Sequence, residues 1–286
     1  MKPHLSDTIF YKSQVFIAIC AAGLGSETYL ISGTPIDFVT VGIIFFAALF
    51  IYNASKLNIS VFKKLNGTRQ ALQVEGNNLS LSICVASLII LFGLLTACNW
   101  LQVLVFMGTS LLSLFYMMPF KKNGVRIQGL RNNLLLKNVI LSLTWASATV
   151  LFPICLYKFY LTDKELIFMC CRRFFFIYAL TVIYDLRDLE ADSKAGMHTI
   201  ALRFGENITK MWSLVALLMF VIFIYTDPSL STSNTHALSK ALLLSAVAAA
   251  LITLNTHRIR KKSYYALIVD SPMALQFLLV LLFKQL

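Results

Sequence analysis

The sequence predicts an all-α, polytopic membrane protein of about nine transmembrane helices. Three observations predict it. Hydrophobic residues make up 58% of the 286 positions and charged residues only 13%, whereas soluble domains carry about 25% charge. Nine apolar runs approach the roughly 20 residues needed to span a bilayer. The segments between them alternate between basic and nearly charge-free. A chain so poor in charge cannot cover its own surface with polar groups. That excludes a soluble enzyme, a disordered chain and a fibrous repeat.

In order, the runs cover about 14–31, 35–52, 79–98, 101–118, 138–157, 166–184, 211–226, 237–254 and 267–284. The first is diluted near its end by Ser26, Glu27 and Thr28. Segments 1–13, 53–78, 119–137, 185–210 and 255–266 hold 2, 4, 5, 4 and 4 Lys or Arg, nineteen of the 25 in the chain. The opposite face keeps only Lys158, Lys164, Lys240 and Lys284. Basic loops stay in the cytoplasm, so the N-terminus is expected inside and the C-terminus on the other side. Miscounting by one helix would break the alternation. The net charge of +12 is therefore a topology signal, and no nucleic acid partner is expected.

The opening MKPHLSDTIFYKSQ lacks a short apolar core with a small-residue cleavage site, so no cleavable signal is expected. The six cysteines lie in or beside apolar runs, with no CxxC and no Cys/His cluster. They predict neither disulfides nor a structural metal. The chain reads as one domain, 1–286, integral to a membrane, with a bacterial inner membrane as the expected one. Nothing in it bears on oligomeric state.

The acidic residues are unevenly spread. Five of the thirteen fall within 185–206: Asp185, Asp188, Glu190, Asp192 and Glu206. If the sixth helix continues past the membrane, Asp185, Asp188 and Asp192 stand at i, i+3 and i+7, on one face. Carboxylates so placed repel one another unless a cation lies among them. Hard oxygen ligands suit Mg²⁺, which commonly joins carboxylates to substrate phosphates. A solvated helix end is the plainer alternative. Basic residues lie in the neighbouring segments: Lys121 and Lys122 after Tyr116-Met-Met-Pro119, then Arg126, Arg131 and Lys137, with Arg203 and Lys210 after the aspartates. A diphosphate needs cations to hold its charge and to stabilise a leaving group, though each of these residues is also explained as a topology signal.

The stretch YDLRDLEADSKAGMHTIALRFG, with Asp185, Asp188 and Asp192 followed by Gly196, Thr199 and Gly205, resembles the second Asp-rich motif of the UbiA superfamily of intramembrane prenyltransferases. Tyr116 to Lys122, Leu136-Lys137-Asn138 and Thr144-Trp145 extend the likeness over most of the chain. The resemblance implies nine helices around a central cavity. It also implies transfer of a prenyl group from an isoprenyl diphosphate to an aromatic or other lipid-soluble acceptor. By the same likeness Asp185, Asp188 and Asp192 are the catalytic carboxylates that hold Mg²⁺. Asn53, Lys121, Lys122, Arg126 and Arg203 meet the diphosphate.

One half of the pattern departs from the family. The first motif, Asn-Asp-x-x-Asp-x-x-x-Asp after the second helix, survives here only as Asn53. Ala54, Leu57 and Val61 stand where carboxylates belong, and no Asp or Glu occurs between Asp37 and Glu75. Losing one of two metal ions would cost several kcal/mol of transition-state stabilisation. A second reading therefore stays open: a weakened or inactive relative that binds isoprenoid lipids or serves as a partner subunit.

Further candidates for the cavity are Tyr116, Tyr184, Arg172 and Arg173. The paired arginines fall within the sixth apolar run, and charge at that depth is functional by default. They either line the cavity, pair with Glu27 or Glu165, or snorkel to the outer interface. Asp270, just before Pro272, is expected as a polar cap on the ninth helix.

Overall fold

Eight helices are long and apolar enough to cross a membrane, and the shorter apolar helix Trp100–Leu114 completes the nine expected, among the described residues. The structure is a computed structural model that describes residues 13–65, 75–117, 120–122, 125–127, 136–156, 161–194, 197–230 and 235–285. Side chains at 58–77 and 115–135 lie outside that description. The helices are α1 (Val15–Ser32), α2 (Phe38–Leu65), α3 (Glu75–Leu95), α4 (Trp100–Met117), α5 (Leu136–Ile154), α6 (Asp163–Lys194), α7 (Ile200–Thr226), α8 (His236–Asn255) and α9 (Lys262–Lys284). A small hairpin, β1 (Phe120–Lys122) against β2 (Val125–Ile127), pairs Lys121 with Arg126 between α4 and α5.

Neighbours in sequence are neighbours in space from α5 round to α9, and α9 returns to α1, which packs on α2. Gln102 of α4 donates to the Thr40 hydroxyl of α2 at 3.0 Å, a polar tie deep in the bundle. The outward faces remain apolar: Ile89, Phe92, Met107, Leu218 and Leu251 are all exposed, as a lipid-facing surface requires.

Two helices depart from α geometry, each just before a proline. In α5, Ser147–Leu151 forms a π turn ahead of Pro153. Proline has no N–H to give the carbonyl four residues back. The Thr28 hydroxyl of α1 bonds that carbonyl, on Thr149, at 2.6 Å. In α9, Tyr265–Val269 forms a second π turn before Pro272, and Ser271 Oγ bonds the Ile268 carbonyl at 2.8 Å. In an apolar medium every freed carbonyl needs such a replacement donor. Asp270 does lead into the last segment, but its side chain makes no capping hydrogen bond. It is buried and faces Tyr184 and Arg187 of α6 instead.

Two expected boundaries move. Helix α6 is 32 residues long, about 48 Å at 1.5 Å per residue, against a hydrocarbon core of about 30 Å. Its last turns therefore leave the apolar layer and carry the aspartates. Helix α7 begins at Ile200 rather than near 211, because Thr199 caps it, accepting from the Leu202 N–H at 3.3 Å. It breaks at Gly205, whose φ of 81° and ψ of 179° are non-helical. Side chains essentially never adopt that conformation. Gly205→Ala is accordingly expected to lower stability by about 1–3 kcal/mol, read as a lower melting temperature of the purified protein, although nothing lies within 4 Å of the added Cβ.

Candidate active site

Asp185 and Asp192 lie seven residues apart on α6, two turns along one face. Asp185 is fully buried and Asp192 nearly so. What they face is the start of α5. Lys137 Nζ donates to Asp185 Oδ1 at 2.8 Å and to Asp192 Oδ2 at 3.3 Å. Asn138 Nδ2 donates to the other oxygen of Asp185, Oδ2, at 3.0 Å. The ammonium thus bridges two carboxylates, with only 7% of the lysine side chain exposed. A buried pair is retained only when attraction and hydrogen bonds offset the desolvation of both ions. Here both oxygens of Asp185 are engaged.

Asp188 meets a different cation. Arg187 grips it through two parallel bonds, Nε to Oδ1 and Nη2 to Oδ2, both 2.8 Å. The guanidinium also lies 4.5 Å from the centre of the Tyr184 ring. Tyr184 donates its hydroxyl to the Tyr265 carbonyl at 2.8 Å, tying α6 to the π turn of α9. So Tyr184 is a strut between helices, and the bidentate arginine keeps Asp188 at the partly exposed rim.

Asp185, Asp188 and Asp192, expected to hold one Mg²⁺, each meet a cation of the chain itself: Lys137 for Asp185 and Asp192, Arg187 for Asp188. No group of three or more Asp, Glu, His or Cys residues converges on a metal position among the described residues. The reason is electrostatic: a lysine ammonium already neutralises two of the carboxylates and an arginine the third. Mg²⁺ demands oxygen ligands in a near-octahedral shell, and an ammonium offers none. As built, these residues do not fit the ion.

Asn53 is buried within α2. Its amide donates to the carbonyls of Ser13 and Leu49, both at 2.9 Å, and its Oδ1 is buried with no hydrogen bond. Beside it, the Tyr52 hydroxyl accepts from Trp145 Nε1 of α5 at 3.3 Å, with the rings edge to face at 6.5 Å. Trp145 lies eight residues along α5 from Lys137, about 12 Å deeper. Arg203, exposed, lines an open cleft of about 340 Å³ with His198, Thr199 and Leu202 where α7 begins. The side chains of Tyr116, Lys121, Lys122 and Arg126 lie outside the described residues; the last three belong to the hairpin strands.

Arg172 and Arg173 are buried and paired, not snorkelling. Arg172 meets Asp227, at the end of α7, at 2.7 Å. Arg173 donates to Glu27 of α1 at 3.1 Å and to the Leu24 carbonyl at 3.0 Å. Gln276 of α9 reaches the other Glu27 oxygen at 3.2 Å. Of the two acids expected as partners for the arginines, Glu27 is the one used. The cavity these groups line measures only about 10 Å³, room for about one water.

Lys137 and Asn138 were not among the residues singled out as site residues from sequence. One signal was present: adjacent polar residues opening an otherwise apolar helix, with Ser142 and Trp145 behind them. Seven residues from Lys137 towards the chain start lies Leu130, so no local pattern names the partner 48 residues away.

A family model described as the UbiA prenyltransferase family matches residues 77–275. Among solved structures, a UbiA homologue from Archaeoglobus fulgidus bound to GPP and Mg²⁺ is similar, with a TM-score of 0.63 and 11% identity, covering 98% of this chain and 100% of that one. An apo UbiA homologue from Aeropyrum pernix K1 gives a TM-score of 0.57 at 13% identity, over 95% and 96% of the two chains. A structure of digeranylgeranylglyceryl phosphate synthase gives 0.58 at 15% identity, over 98% of both. Identities this low speak for a shared fold. No curated protein matches the sequence.

Proposed function

The chain belongs to the UbiA prenyltransferase family, and on that premise we propose that it transfers a prenyl group from an isoprenyl diphosphate to a lipid-soluble, aromatic acceptor within the membrane. The observation that carries the reading is the buried Asp185–Lys137–Asp192 bridge where α6 leaves the apolar layer. It lies on the stretch that matches the family's second motif, with the basic ends facing the cytoplasm and the N-terminus on the same side.

The roles follow from the chemistry of diphosphate departure. As the allylic C–O bond breaks, its electron pair leaves with the diphosphate, and negative charge accumulates on the bridging oxygen. Preorganised donors aimed at that charge lower the barrier most. Lys137, fixed by Asp185 and Asp192, is the innermost of these donors. Lys121, Lys122 and Arg126 on the hairpin and Arg203 at the open cleft bring further positive charge. Asp188 positions Arg187. The ring pair Tyr52 and Trp145 lies deeper, where it offers an apolar wall to the isoprenoid tail. The acceptor's nucleophilic atom then bonds to the cation and gives up its proton. The apolar surroundings keep water from intercepting the cation.

A second reading is favoured by one observation: Ala54 and Leu57 bring no oxygen to the end of α2. On that reading the protein binds prenyl lipid without transfer. Membranes carrying the protein, incubated with labelled isoprenyl diphosphates of several lengths and a panel of aromatic acceptors, separate the two. Release of diphosphate coupled to labelled acceptor is expected. Tight binding with no turnover across the panel would establish the second reading.

A further inference from the structure

We propose that Lys137 takes the place of a divalent cation, so that this protein engages diphosphate without bound metal. The inference deepens the proposed function and rests on it only for the identity of the anion. Two independent features lead to it. The first is geometric: the ammonium lies 2.8 Å and 3.3 Å from the same pair of carboxylates a metal would need, and Asn138 holds the remaining oxygen of Asp185. A divalent ion introduced between these oxygens would compete with a unit positive charge that cannot leave the helix. The second is compositional: α2 and the segment after it have no Asp or Glu anywhere from 38 to 74. Neither side of the site presents a set of free carboxylates. The missing carboxylates on α2 and the lysine on α5 act in the same sense, each removing a reason for a metal.

What the lysine supplies is a bridging positive charge of +1 in place of +2. Its carboxylate partners serve to hold it, upright and desolvated, where the leaving oxygens arrive. The lower charge is matched by the surplus of basic residues in 119–136, which holds Lys121, Lys122, Arg126 and Arg131 and no acid. Lys137 is in this sense the charge-bearing residue of the site, and Asp185, Asp192 and Asn138 are positioning residues.

Two measurements on the full-length protein in detergent test this. In the first, Mn²⁺ is titrated and followed by electron paramagnetic resonance. The wild type is expected to leave Mn²⁺ free up to the millimolar range. Lys137→Met, which vacates the space between Asp185 and Asp192, is expected to take up about one Mn²⁺ per chain, and Lys137→Met with Asp185→Asn to lose it again. Uptake of one Mn²⁺ by the wild type, abolished in Asp185→Asn alone, would overturn the proposal whatever the protein's substrate. In the second, geranyl thiodiphosphate affinity is compared in EDTA and in Mg²⁺. A change of less than about threefold is expected, and a loss of tenfold or more in EDTA contradicts the proposal. Should the thiodiphosphate bind under neither condition, the prenyl-transfer reading fails, while the Mn²⁺ titration still decides the role of Lys137.

Discussion

Asp185→Asn is expected to lower prenyl-transfer turnover by on the order of a hundredfold, while Asp188→Asn lowers it less than tenfold. Sequence alone treats the two residues as equivalent members of one motif; their surroundings do not. Asp185 is fully buried and uses both oxygens, one on Lys137 and one on Asn138. An asparagine there keeps the shape, loses the charge and turns a donor toward another donor. The ammonium is then held from one side only. Removing one preorganised group from a site of this kind costs about 10²–10³ in turnover. Breaking a buried ion pair also destabilises by about 3–5 kcal/mol, so turnover is to be measured on the fraction that elutes as folded protein. Asp188 meets Arg187 at the rim, where the two side chains are 18% and 29% exposed. A pair that water reaches is worth less than a fully buried one. Equal losses from the two variants would show that the bridge to Lys137 has no special part in the reaction.

The second large effect concerns stability. Arg173→Ala is expected to cost about 3–5 kcal/mol, seen as a lower melting temperature by intrinsic fluorescence in detergent. The residue leaves Glu27 charged, 2% exposed at the side chain, with Gln276 as its remaining partner. The Leu24 carbonyl loses its donor as well. The double variant Glu27→Gln with Arg173→Met removes both charges and is expected to recover most of the loss, because a neutral pair of similar volume avoids the desolvation of two ions. Turnover per folded molecule is expected to stay within about threefold in the double variant, since the arginines line a cavity with room for about one water. A melting temperature unchanged in Arg173→Ala would mean that water, rather than Glu27, satisfies the guanidinium.

The legible part of the site was the part written in short-range spacing. Asp185, Asp188 and Asp192 are in register because α6 continues past the apolar layer, and a period of 3.6 residues can be read from any helix. Arg172 and Arg173 could be recognised as costly from depth alone, and Glu27 was one of the two acids expected as their partners. Asp227, the partner of Arg172, gave no such signal. It is 55 residues away, at the end of another helix, and only the packing of α6 on α7 brings it near. The π turns at Ser147–Leu151 and Tyr265–Val269 also escaped notice, since each proline sits in a run that hydropathy reads as continuous.

By itself the sequence determined the membrane class, the nine helices and their order, and the face of α6 that gathers carboxylates. Each is a property of neighbouring residues: transfer free energy summed over about twenty positions, or angle accumulated at 100° per residue. Only the tertiary structure decided which cation meets those carboxylates. Lys137 is one of five basic residues in 119–137, and its place beside Asn138 at the start of an apolar helix does not name its partners. What distinguishes it is burial. Once α5 packs against α6, an unpaired ammonium or carboxylate there would be desolvated without compensation, and the two helices settle where each charge answers the other.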